Sequence, residues 1–254
     1  MDTTKLKTRM EDRREAMNRT AEITASALAP TTSTYVALTN DALGIIQENL
    51  KHQSLSLDLF DIVKSPSGGS TVFSVPGLAG DEAAKELTGI ILDYTTPRAY
   101  WDTPDPVEGT PPVCLSQNSI ISTDGKPCAH CPFNDFGSKD GESGAKACKE
   151  SVLLFLLRPD NILPLLVRVP VTSKARFFKY TARLAGSLTP LNGVVTKITL
   201  EKATSKGGKP YALFNFEAVS ALNKTETARA KTYARQFMDF MDTAEVMPEL
   251  AEAS

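Results

Sequence analysis

Hydrophobic and polar positions alternate with different periods along the chain. Six consecutive apolar residues at 152–157 and a second apolar run at 162–169 flank the turn Arg158-Pro159-Asp160-Asn161, which predicts two buried strands. Residues 86–94 (ELTGIILDY) are β-branched and partly alternating, and predict another strand. Residues 193–200 alternate, 203–210 form a glycine-containing hairpin loop, and 211–219 return as its partner strand. The period of two sets Tyr211, Leu213, Asn215 and Glu217 on one face and Phe214 and Phe216 on the core face. Helices are predicted over 40–51, over 173–186 with Ser173 as N-cap and Gly186 as the stop, and over 225–241. Two extended runs, 55–63 and 71–75, surround the turn at 65–70 and are expected to pair as a hairpin. Residues 1–28 are polar and read as a marginal helix or an arm.

Periodicity is lost from 95 to 149, a stretch rich in proline and glycine that also carries Tyr100, Trp101, Phe133, Phe136 and all four cysteines. A loop of this length inside a domain has to be pinned by something. The expected architecture is therefore α+β: a β-rich, OB-like barrel core over 31–235 with flanking helices and a zinc-bound loop module inserted at 95–149. An N-terminal arm (1–30) precedes it and an acidic tail (236–254) follows.

Cys114, Cys128, Cys131 and Cys148 are spaced C-x13-C-x2-C-x16-C. The two-residue gap in Cys128-Ala129-His130-Cys131 lets two thiolates face one ion, and the outlying cysteines complete a set of four. Soft thiolates select zinc, and four of them leave no open coordination position, so the metal is expected to be structural. Iron–sulfur ligation uses the same donors, and His130 is a substitute ligand made awkward by its place inside the gap.

The run Arg98-Ala99-Tyr100-Trp101, then Cys114, then Cys128-Ala129-His130-Cys131-Pro132-Phe133-Asn134-Asp135-Phe136-Gly137-Ser138, then Lys146-Ala147-Cys148-Lys149 resembles a group of bacteriophage-encoded proteins. Their pattern is RAYW…C…CxxCPxNxxGS…GKACK, and the similarity extends over about residues 86–219. The chain departs from it at Leu115-Ser116-Gln117-Asn118-Ser119, and in the glycine spacing before Lys146. The resemblance implies single-stranded DNA binding in phage replication or recombination, on an OB-like core carrying zinc.

Charge adds an independent pointer. The net charge is −2, but residues 1–150 hold 14 basic against 21 acidic side chains, 151–235 hold 14 against 4, and 236–254 hold five acids and no base. Local potential governs partner choice, and a basic block of +10 suits a polyanion. Single-strand binders combine cations with rings on which bases stack. The candidates are Arg98, Tyr100, Trp101, Lys174, Arg176, Lys179, Tyr180, Arg183, Lys197, Lys202, Lys206, Lys209 and Tyr211. The acidic tail is expected to compete for the cationic surface or to recruit replication or recombination proteins.

Catalysis has little support. There are two histidines, no nucleophile elbow or zincin motif, and Gly141 to Lys146 fails the P-loop spacing. Asp102, Asp105 and Glu108 lie among prolines and read as loop acids. No apolar run approaches the roughly 18 residues that cross a bilayer. Residues 1–19 are charged and lack an apolar signal core, so a cytoplasmic location, in the host cell if the chain is phage-encoded, is expected. Two further readings use the same features: a zinc-containing duplex DNA or RNA-binding regulator, and a module that engages host or replisome proteins.

Overall fold

The computed structural model describes residues 35–38, 42–51, 59–103, 110–141, 144–205 and 207–241. Its helices are α1 (Ala42–Leu50), α2 (Val171–Gly186) and α3 (Lys224–Met241). Its strands are β1 (Ile62–Val63), β2 (Phe73–Val75), β3 (Glu82–Ala84), β4 (Glu86–Thr95), β5 (Arg98–Tyr100), β6 (Cys114–Ser116), β7 (Lys149–Glu150), β8 (Val152–Leu157), β9 (Leu165–Val169), β10 (Val194–Thr204) and β11 (Pro210–Ala221). The fold is α+β. A six-stranded sheet in the order β1-β9-β8-β4-β10-β11 forms its centre, with two small sheets, β2-β3 and β6-β5-β7, beside it.

The apolar run of β8 explains the layering. All six of its residues are buried, and successive side chains leave a strand on opposite faces. Val152, Leu154 and Leu156 join Val63, Ile91, Phe177 and Phe214 on one face of the sheet. Leu153, Phe155 and Leu157 join Ile46, Ile90, Tyr233 and Phe237 on the other. Helix α2 covers the first face and α3 with α1 the second, so β8 must be apolar throughout. Each such side chain contributes about 1.5–3 kcal/mol by its burial. At Gly89, a Cβ would lie 2.4 Å from the Leu157 carbonyl oxygen, so only glycine lets β4 approach β8 this closely.

Most predicted elements appear near their expected places, with instructive exceptions. Among the described residues, the runs expected at 55–63 and 71–75 do not pair with each other. Within the described part of them, β1 lies parallel to β9 and β2 pairs with β3. Helix α2 begins at Val171, and Ser173 does not cap it. Ser173 is buried and its Oγ accepts the Phe214 N–H at 2.9 Å, covering part of the outer edge of β11. The helix ends at Gly186 as expected, and just beyond it Leu188 takes the left-handed conformation (φ 53°). Helix α3 starts in a reciprocal box, in which Asn223 Oδ1 accepts the Glu226 N–H and Glu226 Oε2 accepts the Asn223 N–H. Its last turns include Phe237, fully buried against Phe60 and Phe155. Residues 236–241, assigned to the tail from sequence, therefore belong to the folded body. The arm at 1–30 and residues 242–254 lie outside the described residues.

The closed OB-like barrel is not formed by the described strands; the sheet is open, with β1 and β11 at its edges. Its ends are bridged by side chains instead of hydrogen bonds. After β1 the chain turns at Ser67–Gly69, where a Cβ on Gly69 would sit 3.2 Å from the Tyr211 nitrogen, and Phe73 then packs edge-on against Phe214 at 5.6 Å.

Phe177 is the central side chain of the α2 layer, with ring centroids 5.0 Å from Tyr94 and 5.3 Å from Phe216. Phe177→Ala is expected to destabilise the protein by about 3–5 kcal/mol, read by chemical denaturation. Ser173→Ala, which strands the buried Phe214 N–H, is expected to cost about 1–3 kcal/mol.

Candidate metal centre and nucleic-acid interface

The cysteine-bearing segment is built on β5. Tyr100 of β5 pairs with Cys114 of β6 on one side. On the other, Arg98 pairs with Glu150 and Ala99 with Lys149, and Cys148 directly precedes this strand. Ala99, Trp101 and Leu115 form a small apolar core beneath this sheet. Cys128 and Cys131 lie on the next layer of loop. The Cys128 N–H donates to the Ile120 carbonyl at 2.8 Å, the Cys131 N–H to the Cys128 carbonyl at 3.4 Å, and the Cys148 N–H to the Phe133 carbonyl at 2.8 Å.

Asn134 fastens these layers. Its Nδ2 donates to the Cys128 carbonyl at 3.0 Å, while its Oδ1 accepts from Arg98 and, at 3.0 Å, from Lys146 Nζ. Ser138 Oγ donates to the Phe133 carbonyl at 3.0 Å and accepts the Ala147 N–H at 2.9 Å. Gly137 takes φ 84°, a turn that side chains disfavour. The asparagine, glycine and serine of the CPxNxxGS run thus shape the loop that carries Cys128 and Cys131.

The four thiols share one electrostatic neighbourhood. Burial pushes the Cys148 thiol up to about 12, against the opposing effect of Arg98, and Cys131, Cys114 and Cys128 each raise it further. Burial also raises Cys114, opposed by a hydrogen bond with Ser122 and reinforced by Asp124, Cys128 and Cys131. As the side chains stand, no three His, Cys, Asp or Glu residues among those described form a group able to hold a metal ion. The donor set suits zinc, with four soft thiols and a CxxC knuckle on hydrogen-bonded turns. Closing it requires thiol rotation and loss of protons. His130 is exposed on the knuckle turn.

The expected nucleic-acid residues separate into groups. Arg98 is 9 % exposed and ion-paired with Glu150, Trp101 is buried with its indole N–H donated to the Thr110 carbonyl at 2.9 Å, and Tyr180 is buried, sharing a 2.7 Å hydrogen bond with Thr196. All three are occupied by partners within the fold. Tyr100 stacks on Phe133, with centroids 3.9 Å apart and planes at 12°. Lys174, Arg176 and Lys197 pair with Glu150 (2.5 Å), Glu201 (2.7 Å) and Glu217 (3.0 Å). Lys179, Arg183, Lys202 and Lys209 are exposed and make no ion pair among the described residues. Tyr211 is half-buried beside the turn at Gly69, and Lys206 lies outside the described residues.

Helix α2 fixes the spacing of these free cations. Ser173 lies at Phe214 and Leu184 packs with Val194, so the helix runs away from the hairpin tip that carries Lys202 and Lys209. Lys179 and Arg183 stand one turn apart on α2, while Lys202 lies near the end of β10 and Lys209 just before β11, across the hairpin loop.

Sequence reasoning missed Asn134, Ser138, Glu150, Phe133, Phe136 and Lys146. Glu150 carried a signal, as the acid two residues beyond Cys148 at the edge of the basic block. Burial raises the Glu150 carboxyl, but Lys174 and Arg98 outweigh it and hold the group below its ordinary value. A carboxylate depressed in this way stabilises the fold above the unfolded pKa of about 4.3, and that contribution is lost as pH falls through the folded value. Glu150→Gln is expected to lower stability at pH 7 by on the order of 2–3 kcal/mol, less than a wholly buried pair would lose. It should also flatten the acid limb of a stability-versus-pH series, and an unchanged limb would contradict this role.

No family model matches the chain, and neither do the curated proteins or solved structures with which it was compared.

Proposed function

We propose that this chain is a sequence-nonspecific single-stranded DNA-binding protein of phage replication or recombination, with structural zinc held by Cys114, Cys128, Cys131 and Cys148. The observation that carries the binding role is the set of exposed cations. Lys179, Arg183, Lys202 and Lys209, on α2 and beside the β10–β11 loop, are exposed and make no ion pair among the described residues, a set we read as one track, while nearby carboxylates neutralise Lys174, Arg176 and Lys197. A flexible polyanion can follow such a track, and the condensed ions it releases supply the binding free energy. The spacing of the four cysteines, with the mutual electrostatic influence of their thiols, supports the metal, and the resemblance of the RAYW and CxxCPxNxxGS runs supports the phage context. When bound, zinc would cross-link β6, the knuckle turn and the segment before β7, and supply no reaction chemistry. No helix among the described residues is long and apolar enough to cross a membrane.

The test is a fluorescence-anisotropy titration of labelled oligo-dT, about 30 nucleotides long, at about 50 and 200 mM salt with duplex as competitor. Tight, salt-sensitive binding that duplex does not displace is expected; no binding at the lower salt overturns the reading. Cys131→Ser is expected to lower zinc content and melting temperature together, and a stable variant that never held zinc contradicts the metal assignment. Truncation after Met241, which spares Phe237, is expected to tighten binding at low salt if residues 242–254 compete for the track. Equal affinity with and without them excludes that role.

A further inference from the structure

Two rings on the cysteine-bearing loop are exposed, and one of them packs on no other ring among the described residues. Phe136 is 83 % exposed and Phe133, at 40 %, is stacked on Tyr100. Single exposed apolar residues are ordinary on protein surfaces, but this one is not on a loose loop. Phe136 sits between Asn134 and Gly137–Ser138, the residues that tie the knuckle down through the Cys128 and Phe133 carbonyls. A cation is also positioned with it. Lys146 Nζ lies 4.4 Å from the centre of the Phe136 ring and is steadied there by Asn134 Oδ1 at 3.0 Å. One face of the ring thus carries an ammonium group, and the accessibility of the residue leaves the opposite face open.

We infer that Phe136, with Lys146 beside it, is a stacking platform for an unpaired base of single-stranded DNA, an inference that rests on the DNA-binding reading above. A fixed, solvent-facing ring offers a π-face that any base matches, which suits binding without sequence preference. The ammonium on the far face of the ring adds positive charge beside the path of the strand's phosphates. A base within a duplex has both faces covered by its neighbours, so the platform selects single strands. That selectivity is something the cationic track alone does not supply. The same contact explains why the ring is exposed on a loop whose other aromatic residues, Trp101 and Tyr100, are buried or stacked internally.

The experiment compares the full-length protein with Phe136→Ala, Phe136→Trp and Lys146→Gln in oligo-dT and duplex titrations. Phe136→Ala is expected to weaken oligo-dT binding by about 5- to 150-fold with its salt slope retained, and to leave duplex binding and melting temperature unchanged. Lys146→Gln is expected to reduce the magnitude of the salt slope by about 0.7. Phe136→Trp is expected to retain affinity, with the new indole quenched as bases stack on it. Oligo-dT binding within twofold of wild type in Phe136→Ala, or an unquenched tryptophan at saturation, overturns the platform while leaving the DNA-binding reading intact. Failure of the wild-type protein to bind oligo-dT removes both.

Discussion

A guanidinium buried at a junction has to be answered by an anion, and that requirement organises the functional half of this molecule. Arg98 is 9 % exposed on the central strand of the small sheet. Its partners are Glu150, Asn134 and, at 3.3 Å, the Ser119 hydroxyl. Each comes from a different part of the cysteine-bearing segment. Glu150 in turn holds Lys174 on the helix that covers the main sheet. One charge therefore fixes the loop to β5, and β5 to the helix that carries exposed cations. The full desolvation cost of leaving such a charge unpaired is what makes the arrangement specific.

From this junction the charged side chains divide by role. Cations that face a carboxylate, such as Lys174 with Glu150 and Arg176 with Glu201, brace the helix and the β10–β11 ribbon. Those without an ion pair among the described residues, such as Lys179 and Lys202, remain available to an external anion. A zinc ion among the four thiols would act on the same loop that Asn134 and Arg98 already hold. On the proposed reading, metal binding and presentation of Phe136 would be coupled through a few hydrogen bonds.

The central elements were legible because burial leaves a periodic trace. The unbroken apolar run of β8, the alternation of β10 and β11 with Phe214 and Phe216 inward, and the helix over 224–241 all follow from which faces must avoid water. The cysteine cluster was legible as composition. What stayed hidden depends on non-local partners. Ser173 has the profile of an N-cap, and only the nearby edge of β11 turns it into an acceptor for Phe214. Arg98 beside Tyr100 and Trp101 has the profile of a nucleic-acid contact until Glu150, 52 residues later, is seen to neutralise it. The barrel was expected because short strands and turns are common to barrels and open sheets, and closure depends on edge pairing that periodicity does not encode. Phe136 was noted as an aromatic residue but could not be separated from core phenylalanines without its exposure.

The most direct measurement is a native mass spectrum of the protein mixed with an oligo-dT, because one spectrum reads metal and strand on the same molecule. The account predicts a complex containing the chain, one zinc ion with the mass deficit of the displaced thiol protons, and the oligonucleotide. A chain that carries the oligonucleotide with no metal, or that binds neither, would contradict it.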